Sequence, residues 1–331
     1  MKRHLLLLSF FFLMSCQKKV GVEKKTIWIY TSLYKEVLPN FDPYFRKLFP
    51  DFNIQWYQAG SEDISAKIQA ELKGAKTQAS ILLTSDVFFY LEMSEKGKLL
   101  NLDGEALKKL DPLLVNPEKN IVVIRYPVMV MAFNPKFVKE KEAPLSVAGM
   151  LEPKFKGKIT MPSPLQSGTA LTTLFFLERK LGKGLNTKLK NNDVLAAGGN
   201  GATLGRILSG EKPLGLLLME NVLQSHEKGQ EDIVYQIPQE GAMPIPSPIA
   251  VFKDSDHPNE AKALAEWFMG EEAQNIIRKA WLYSPLPQIA APNGAPEYSK
   301  LKKMDWTWAQ LKEWKEQRED LKNRFQKTVL R

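Results

Sequence analysis

The sequence predicts an α/β protein built as two lobes, and three observations carry that prediction. From residue 26 onward, strand-like apolar runs alternate with amphipathic helical stretches. Two extended segments, Asn120–Pro135 and Met243–Lys253, are punctuated by prolines, as expected of chain that leaves one lobe and later returns. The 331 residues are 44% hydrophobic and 25% charged, which supplies apolar material for more than one core.

Thr26–Ser32 (TIWIYTS) is β-rich, and the stretch after it places Leu38, Phe41, Phe45, Leu48 and Phe49 at helical spacing before Pro50 ends it. Asn53–Tyr57 predicts a strand that delivers a helix beginning at Ser61 and stopping at Gly74. Ala79–Leu83 repeats the plan, with a helix through VFFYLEMSEKG closed by Gly97. In the second half, a strand over Lys158–Pro164 leads into a helix whose Leu171, Leu174, Phe175, Leu177 and Leu181 form a wide apolar face. A Gly-rich turn and short helix, GGNGATLGRILSGE, precede a buried strand at Pro213–Glu220. Two helices follow from Pro258 to Ala280, the first started by Pro258 and Asn259 and ended by Gly270. Trp308, Leu311, Trp314, Leu321, Phe325 and Val329 predict one more amphipathic helix, packed on the body. The sheets are expected to be mainly parallel. The expected division is 1–15 leader, 16–25 tether, 26–124 plus 248–280 first lobe, 125–247 second lobe, and 281–331 a C-terminal helical segment.

Lys2 and Arg3 precede an apolar run, Leu5–Met14, that is too short to cross ~30 Å of hydrocarbon as a helix. Leu13-Met14-Ser15-Cys16 resembles the lipobox of bacterial lipoproteins, which implies cleavage before Cys16 and its acylation; the chain has no other cysteine. Lys18, Lys19, Lys24 and Lys25 follow, where each basic side chain gains on the order of 1 kcal/mol from an anionic membrane surface. The formal charge is +9, from 46 Lys and Arg against 37 Asp and Glu. Because the remaining lysines are interspersed with glutamates, they read as a solvated surface, and no nucleic-acid partner is expected.

Catalytic signatures are scarce. His226 and His257 are the histidines left once the leader is removed, both in polar surroundings, and no zinc spacing, nucleophile elbow or P-loop is present. Gly199-x-Gly201-x-x-x-Gly205 has one residue too many for a dinucleotide fingerprint, and no cofactor is expected. What recurs is a hydroxyl residue where a strand meets a helix: Thr31-Ser32, Ser61, Thr84-Ser85 and Ser167-Gly168-Thr169. In an open α/β sheet such ends face the ligand crevice, and helix N-termini there offer unpaired N–H groups to an anion. The alternative is plain N-capping, in which each hydroxyl serves its own helix. Gly168 would add close backbone approach to a ligand.

These residues carry a resemblance. The blocks Trp28–Gly74, Lys156–Leu174 (KGKITMPSPLQSGTALTTL), Ser209–Leu217 and Pro244–Ile277, in this order, resemble the extracellular solute-binding proteins of bacterial ABC importers. The similarity is closer to the branch that handles ferric iron, phosphonates and phosphorylated organics. It implies the type II periplasmic binding fold, two lobes closing on a solute, and delivery to the transmembrane subunits of an ABC permease. Iron-binding members carry adjacent tyrosines after the strand corresponding to PLGLLLME, because ferric iron favours phenolate and carboxylate oxygens. This chain has Met219, Glu220 and Asn221 there, and Tyr30, Tyr34, Tyr126 and Tyr235 only singly. A small anionic solute on Ser32, Ser61, Thr84, Ser85, Tyr126, Ser167, Gly168 and Thr169 is therefore the leading expectation. Glu220 would meet an amine or hydroxyl at the solute's other end, or else serve as a surface or hinge salt-bridge partner. The protein is then a periplasmic or extracytoplasmic lipoprotein held to the membrane through Cys16. Rebuilt iron binding, a lipoprotein phosphohydrolase using a metal on Asp86, Glu62 and Asp63, and a sensory module docking on a membrane receptor are the alternatives.

Overall fold

The computed structural model describes residues 25–330, so the leader, Cys16, Lys18, Lys19 and Lys24 lie outside the described residues. Eleven strands are present among the described residues: β1 Lys25–Thr31, β2 Phe52–Gln58, β3 Ile81–Leu83, β4 Val122–Arg125, β5 Val128–Phe133, β6 Ile159–Met161, β7 Leu195–Ala196, β8 Leu214–Leu218, β9 Val234–Gln236, β10 Met243–Pro244 and β11 Ser247–Val251. They form two sheets, ordered β2-β1-β3-β11-β4 and β10-β5-β8-β6-β7, with β9 also paired to β5. The chain passes between sheets twice, through Tyr126-Pro127 and through Ile245-Pro246.

The sheets are mixed, not mainly parallel. β1 is parallel to β2 and β3, and β6 to β7 and β8. β11 is antiparallel to β3 and β4, and β5 to β8, β9 and β10. The crossings are the cause. β4 carries the chain out of the first sheet and its neighbour β11 brings it back, so the two must run in opposite directions. Two-residue connections between strands of different sheets also leave no room for the helical crossover a parallel neighbour needs.

Each sheet is covered on both faces, which is why its central strands read as unbroken apolar runs. One face of the first sheet packs Ile29 and Val251 against Phe41, Phe45, Leu264 and Phe268 of the helices Asp42–Leu48 and Pro258–Phe268, all at most 4% exposed. The other face carries the helices Ser61–Lys73 and Val87–Glu95, and here the core continues into the second lobe. Phe88 meets Phe175 of the helix Gly168–Leu181 edge to face, with ring centroids 5.3 Å apart.

The C-terminal segment is two helices, Trp308–Glu316 and Arg318–Val329, instead of the single helix its periodicity predicts. Gln317 ends the first and starts the second. The two halves have different main partners, the first packing on Val87–Glu95 and the second on Leu185–Asn191, while Trp314 of the first also stacks on Phe175 and Arg318 of the second also pairs with Glu62 and Asp86.

Candidate functional site

A cleft of about 200 Å³ lies where the strand ends of the two lobes face each other. Ser32, Tyr34, Ser61 and Ser85 line it from the first lobe, Ser167, Thr169, Asn200 and Glu220 from the second, and Arg125 and Pro127 from the crossing between them.

Local hydrogen bonds explain why the hydroxyls face inward. Thr31 Oγ1 donates to the Leu83 carbonyl at 2.9 Å and accepts the Leu33 amide at 3.1 Å, fixing the turn that presents Ser32. The helix at Ser61 has Gly60 as its N-cap with no side-chain cap, so Ser61 is not a cap; its Oγ accepts the Ser85 amide at 3.4 Å. Ser85 does not cap either. Asp86 takes that role by accepting from the Phe88 and Phe89 amides, while Ser247 Oγ donates to Ser85 Oγ at 2.8 Å. Ser167 does cap its helix, accepting the Ala170 amide at 3.4 Å, and shares a 2.9 Å hydrogen bond with Thr169 Oγ1. Thr169 in turn accepts from Asn200 Nδ2 at 3.1 Å. Asn200 Oδ1 is buried without a partner, and Asn200 opens a ten-residue helix behind Gly199 that has no side-chain cap. Helix starts from both lobes thus present donors to one space.

Three expected site residues do not line this cleft. Thr84 is fully buried, with its amide donating to Tyr90 Oη at 2.7 Å while that phenol donates to the Pro248 carbonyl at 2.8 Å; the pair ties β3 to β11. Tyr126 bridges to Tyr283 through the backbone and stacks on Tyr298 with centroids 5.2 Å apart, so it belongs to the crossing and its cover. Gly168 allows close approach, but of the lobes to each other. A Cβ there would lie 2.8 Å from Asp86 Cα, Asp86 Cβ and the Ser85 carbonyl. Glu62 and Asp86, weighed as metal ligands, are ion-paired with Arg318 at 3.1 Å each. Among the described residues, no group of three His, Cys, Asp or Glu side chains could hold a metal ion.

The electrostatics turn on two buried groups. Arg125 is 3% exposed, and among the described residues its Nε has no hydrogen-bond partner and its one side-chain hydrogen bond is a long 3.5 Å contact from Nη2 to Ser32 Oγ. Burial lowers its pKa to about 10, against the raising influence of Tyr90, Glu220 and Tyr34, so it stays cationic at neutral pH. Burial pushes the Glu220 carboxyl up to about 8, only partly offset by backbone amides and by Arg125. Tyr34, hydrogen-bonded with Asn221, is likewise raised, first by burial and then by Glu220, and remains a phenol. The cleft floor therefore carries a positive charge that no carboxylate within ion-pair distance neutralises among the described residues. Arg125 and Asn200 were not singled out by sequence reasoning. The signals were a lone cation inside the apolar run Ile121–Phe133 and the Gly-rich turn before a helix.

A family model described as "Bacterial extracellular solute-binding protein" matches residues 77–310. Among solved structures, the periplasmic binding protein P5PA aligns at a TM-score of 0.81 and 20% identity over 92% of this chain and 100% of its own. AfuA from Actinobacillus pleuropneumoniae, with exogenous fructose-6-phosphate bound, gives 0.81 and 18% over 93% and 99%. Iron-bound HitA from Pseudomonas aeruginosa gives 0.78 and 21% over 90% and 98%. Those TM-scores show a shared type II periplasmic binding fold. The matched family spans both lobes and the crossings that enclose the cleft, and the chain belongs to the bacterial extracellular solute-binding proteins, the solute-capturing components of ABC importers.

Proposed function

We propose that this protein is tethered to the membrane through acylated Cys16 and captures a small phosphorylated or phosphonate organic anion in the interlobe cleft for delivery to an ABC permease. The observation that carries the ligand class is Arg125, a buried guanidinium that lines the cleft and whose Nε has no hydrogen-bond partner. A buried unpaired cation is costly, and an anionic oxygen supplies both the missing charge and the missing hydrogen bonds. Ser32, Ser61, Ser85, Ser167 and Thr169 add neutral donors around it, and protonated Glu220 faces the solute's hydroxyl or amine end. A volume of about 200 Å³ lies below the roughly 300–1,000 Å³ of drug-sized sites and suits a small solute. A ferric ion is disfavoured by the same features: it would meet a guanidinium, a protonated carboxyl and a phenol held in its neutral form.

Calorimetry with fructose-6-phosphate, 2-aminoethylphosphonate and ferric citrate, together with mass spectrometry of solute retained through purification, tests the assignment. One-to-one binding of a phosphate or phosphonate without turnover is expected. Tight ferric binding with none of the phosphorus compounds bound would overturn the ligand class, and hydrolysis of the ester would restore the phosphohydrolase.

A further inference from the structure

The C-terminal helices cross the line between the lobes behind the cleft, and charged contacts fix each end. On the first lobe, Arg318 Nη2 lies 3.1 Å from both Glu62 and Asp86, Lys322 lies 2.7 Å from Glu62, and Lys315 pairs with Glu95. On the second, Arg324 grips Glu178 with two hydrogen bonds of 2.8 and 3.1 Å. Ahead of these residues Trp314 stacks on Phe175, centroids 5.4 Å apart, and Phe175 is the ring that meets Phe88 across the lobe boundary. The anchoring carboxylates adjoin the binding wall. Glu62 follows Ser61 and Asp86 follows Ser85, two residues that line the cleft, while Glu178 lies on the helix that Ser167 caps.

From this we infer that the C-terminal segment is a strap whose two ionic ends, Arg318 and Arg324, hold the lobes at the spacing the solute requires, making both arginines positioning residues for solute binding. Neither touches the cleft. The two short crossings restrain the lobes on one side only, and a link on the far side of the Phe88–Phe175 contact limits how far they rock apart. Lys315 and Lys322 share the first-lobe end with Arg318, and Arg179 adds a second-lobe tie to Asp305, so loss of either arginine loosens one continuous link between the lobes. The effect on affinity rests on the solute-binding reading, whereas the effect on lobe spacing does not.

The test uses the full chain carrying Cys16→Ser, with nitroxides at Lys47→Cys on the first lobe and Lys183→Cys on the second, and fructose-6-phosphate as probe. Arg318→Gln and Arg324→Gln should each broaden the ligand-free interlobe distance distribution to longer values, by ~5 Å, as in hinge opening. Each should weaken probe binding roughly five- to tenfold by lowering the fraction of binding-competent protein. The double variant should lose less than the sum of the two single losses, because both arginines act on one link whereas independent sites would add. Lys136→Gln, which removes an exposed pair with Asp232, serves as control and should change neither measurement. Unchanged distances in both variants overturn the strap even if Arg318→Gln alone binds poorly, since that result marks a local effect on the Ser61 and Ser85 turns. Additive losses overturn it as well. Distances that widen as expected in a protein that binds no phosphate ester leave the strap standing and overturn the solute assignment.

Discussion

Replacing Arg125 with methionine separates function from stability by sign. The guanidinium is 3% exposed, lacks a carboxylate within ion-pair reach among the described residues, and leaves Nε unpartnered. Its one side-chain hydrogen bond among the described residues, 3.5 Å to Ser32, is too long to contribute much. Methionine keeps most of the stem volume and removes the charge. Replacing a buried ion pair by apolar side chains of similar volume is often neutral or stabilising by about 1–4 kcal/mol, and an unpaired cation has no partner to lose, so ligand-free Arg125→Met should melt at the same temperature as the parent or higher. Binding should move the other way. Hydrogen bonds from a charged donor to an anionic oxygen contribute about 1.5–3 kcal/mol each, and losing ~3 kcal/mol raises Kd roughly a hundredfold. Calorimetry with fructose-6-phosphate and thermal melting of the ligand-free protein give the two numbers. A variant that loses stability while holding its affinity would show that Arg125 is a structural residue of the crossing and that its charge does not face the solute.

Ser167→Ala and Thr169→Ala should each weaken phosphate-ester binding by about one to two powers of ten; loss of about 1 kcal/mol of stability with affinity intact would reduce Ser167 to a helix cap. Gly168→Ala places a methyl 2.8 Å from rigid backbone at Asp86, so the lobes must separate there, and both affinity and melting temperature should fall. Between about pH 4.5 and 8 the folded protein holds the Glu220 proton that the unfolded chain has released. The stability from this group is therefore present below the lower value and lost as pH rises through the upper one. Ionised Glu220 also repels an anionic solute, so Kd should climb above about pH 8, a rise that Glu220→Gln should flatten. Cys16→Ser should release the exported protein from the membrane fraction, because a lysine-rich tether without acyl chains binds weakly; continued sedimentation with membranes would refute the anchor.

Patterns with a short physical range were legible in the sequence. Period-two and 3.6-residue repeats located the strands and helices, prolines marked both crossings, and order-preserving blocks pointed to the family. The hydroxyls at strand ends named Ser32, Ser61, Ser85, Ser167 and Thr169, all of which line the cleft. Other features depend on contacts between distant residues, and these only the tertiary structure decided. Thr84 lies beside Ser85 in sequence yet is fully buried, with its amide bonded to the Tyr90 phenol, which in turn reaches the Pro248 carbonyl, and no local signal tells which of the two neighbouring hydroxyls faces the cleft. Gly168 is required by the approach of Asp86 from the other lobe. The C-terminal periodicity runs almost unbroken through Gln317, yet the helix divides there, and its halves find their main partners on different helices, Val87–Glu95 and Leu185–Asn191. Arg125 shows the limit most clearly. In sequence it is a charge interrupting an apolar run, and only its burial, with no carboxylate within ion-pair distance among the described residues, gives it the chemistry of an anion site.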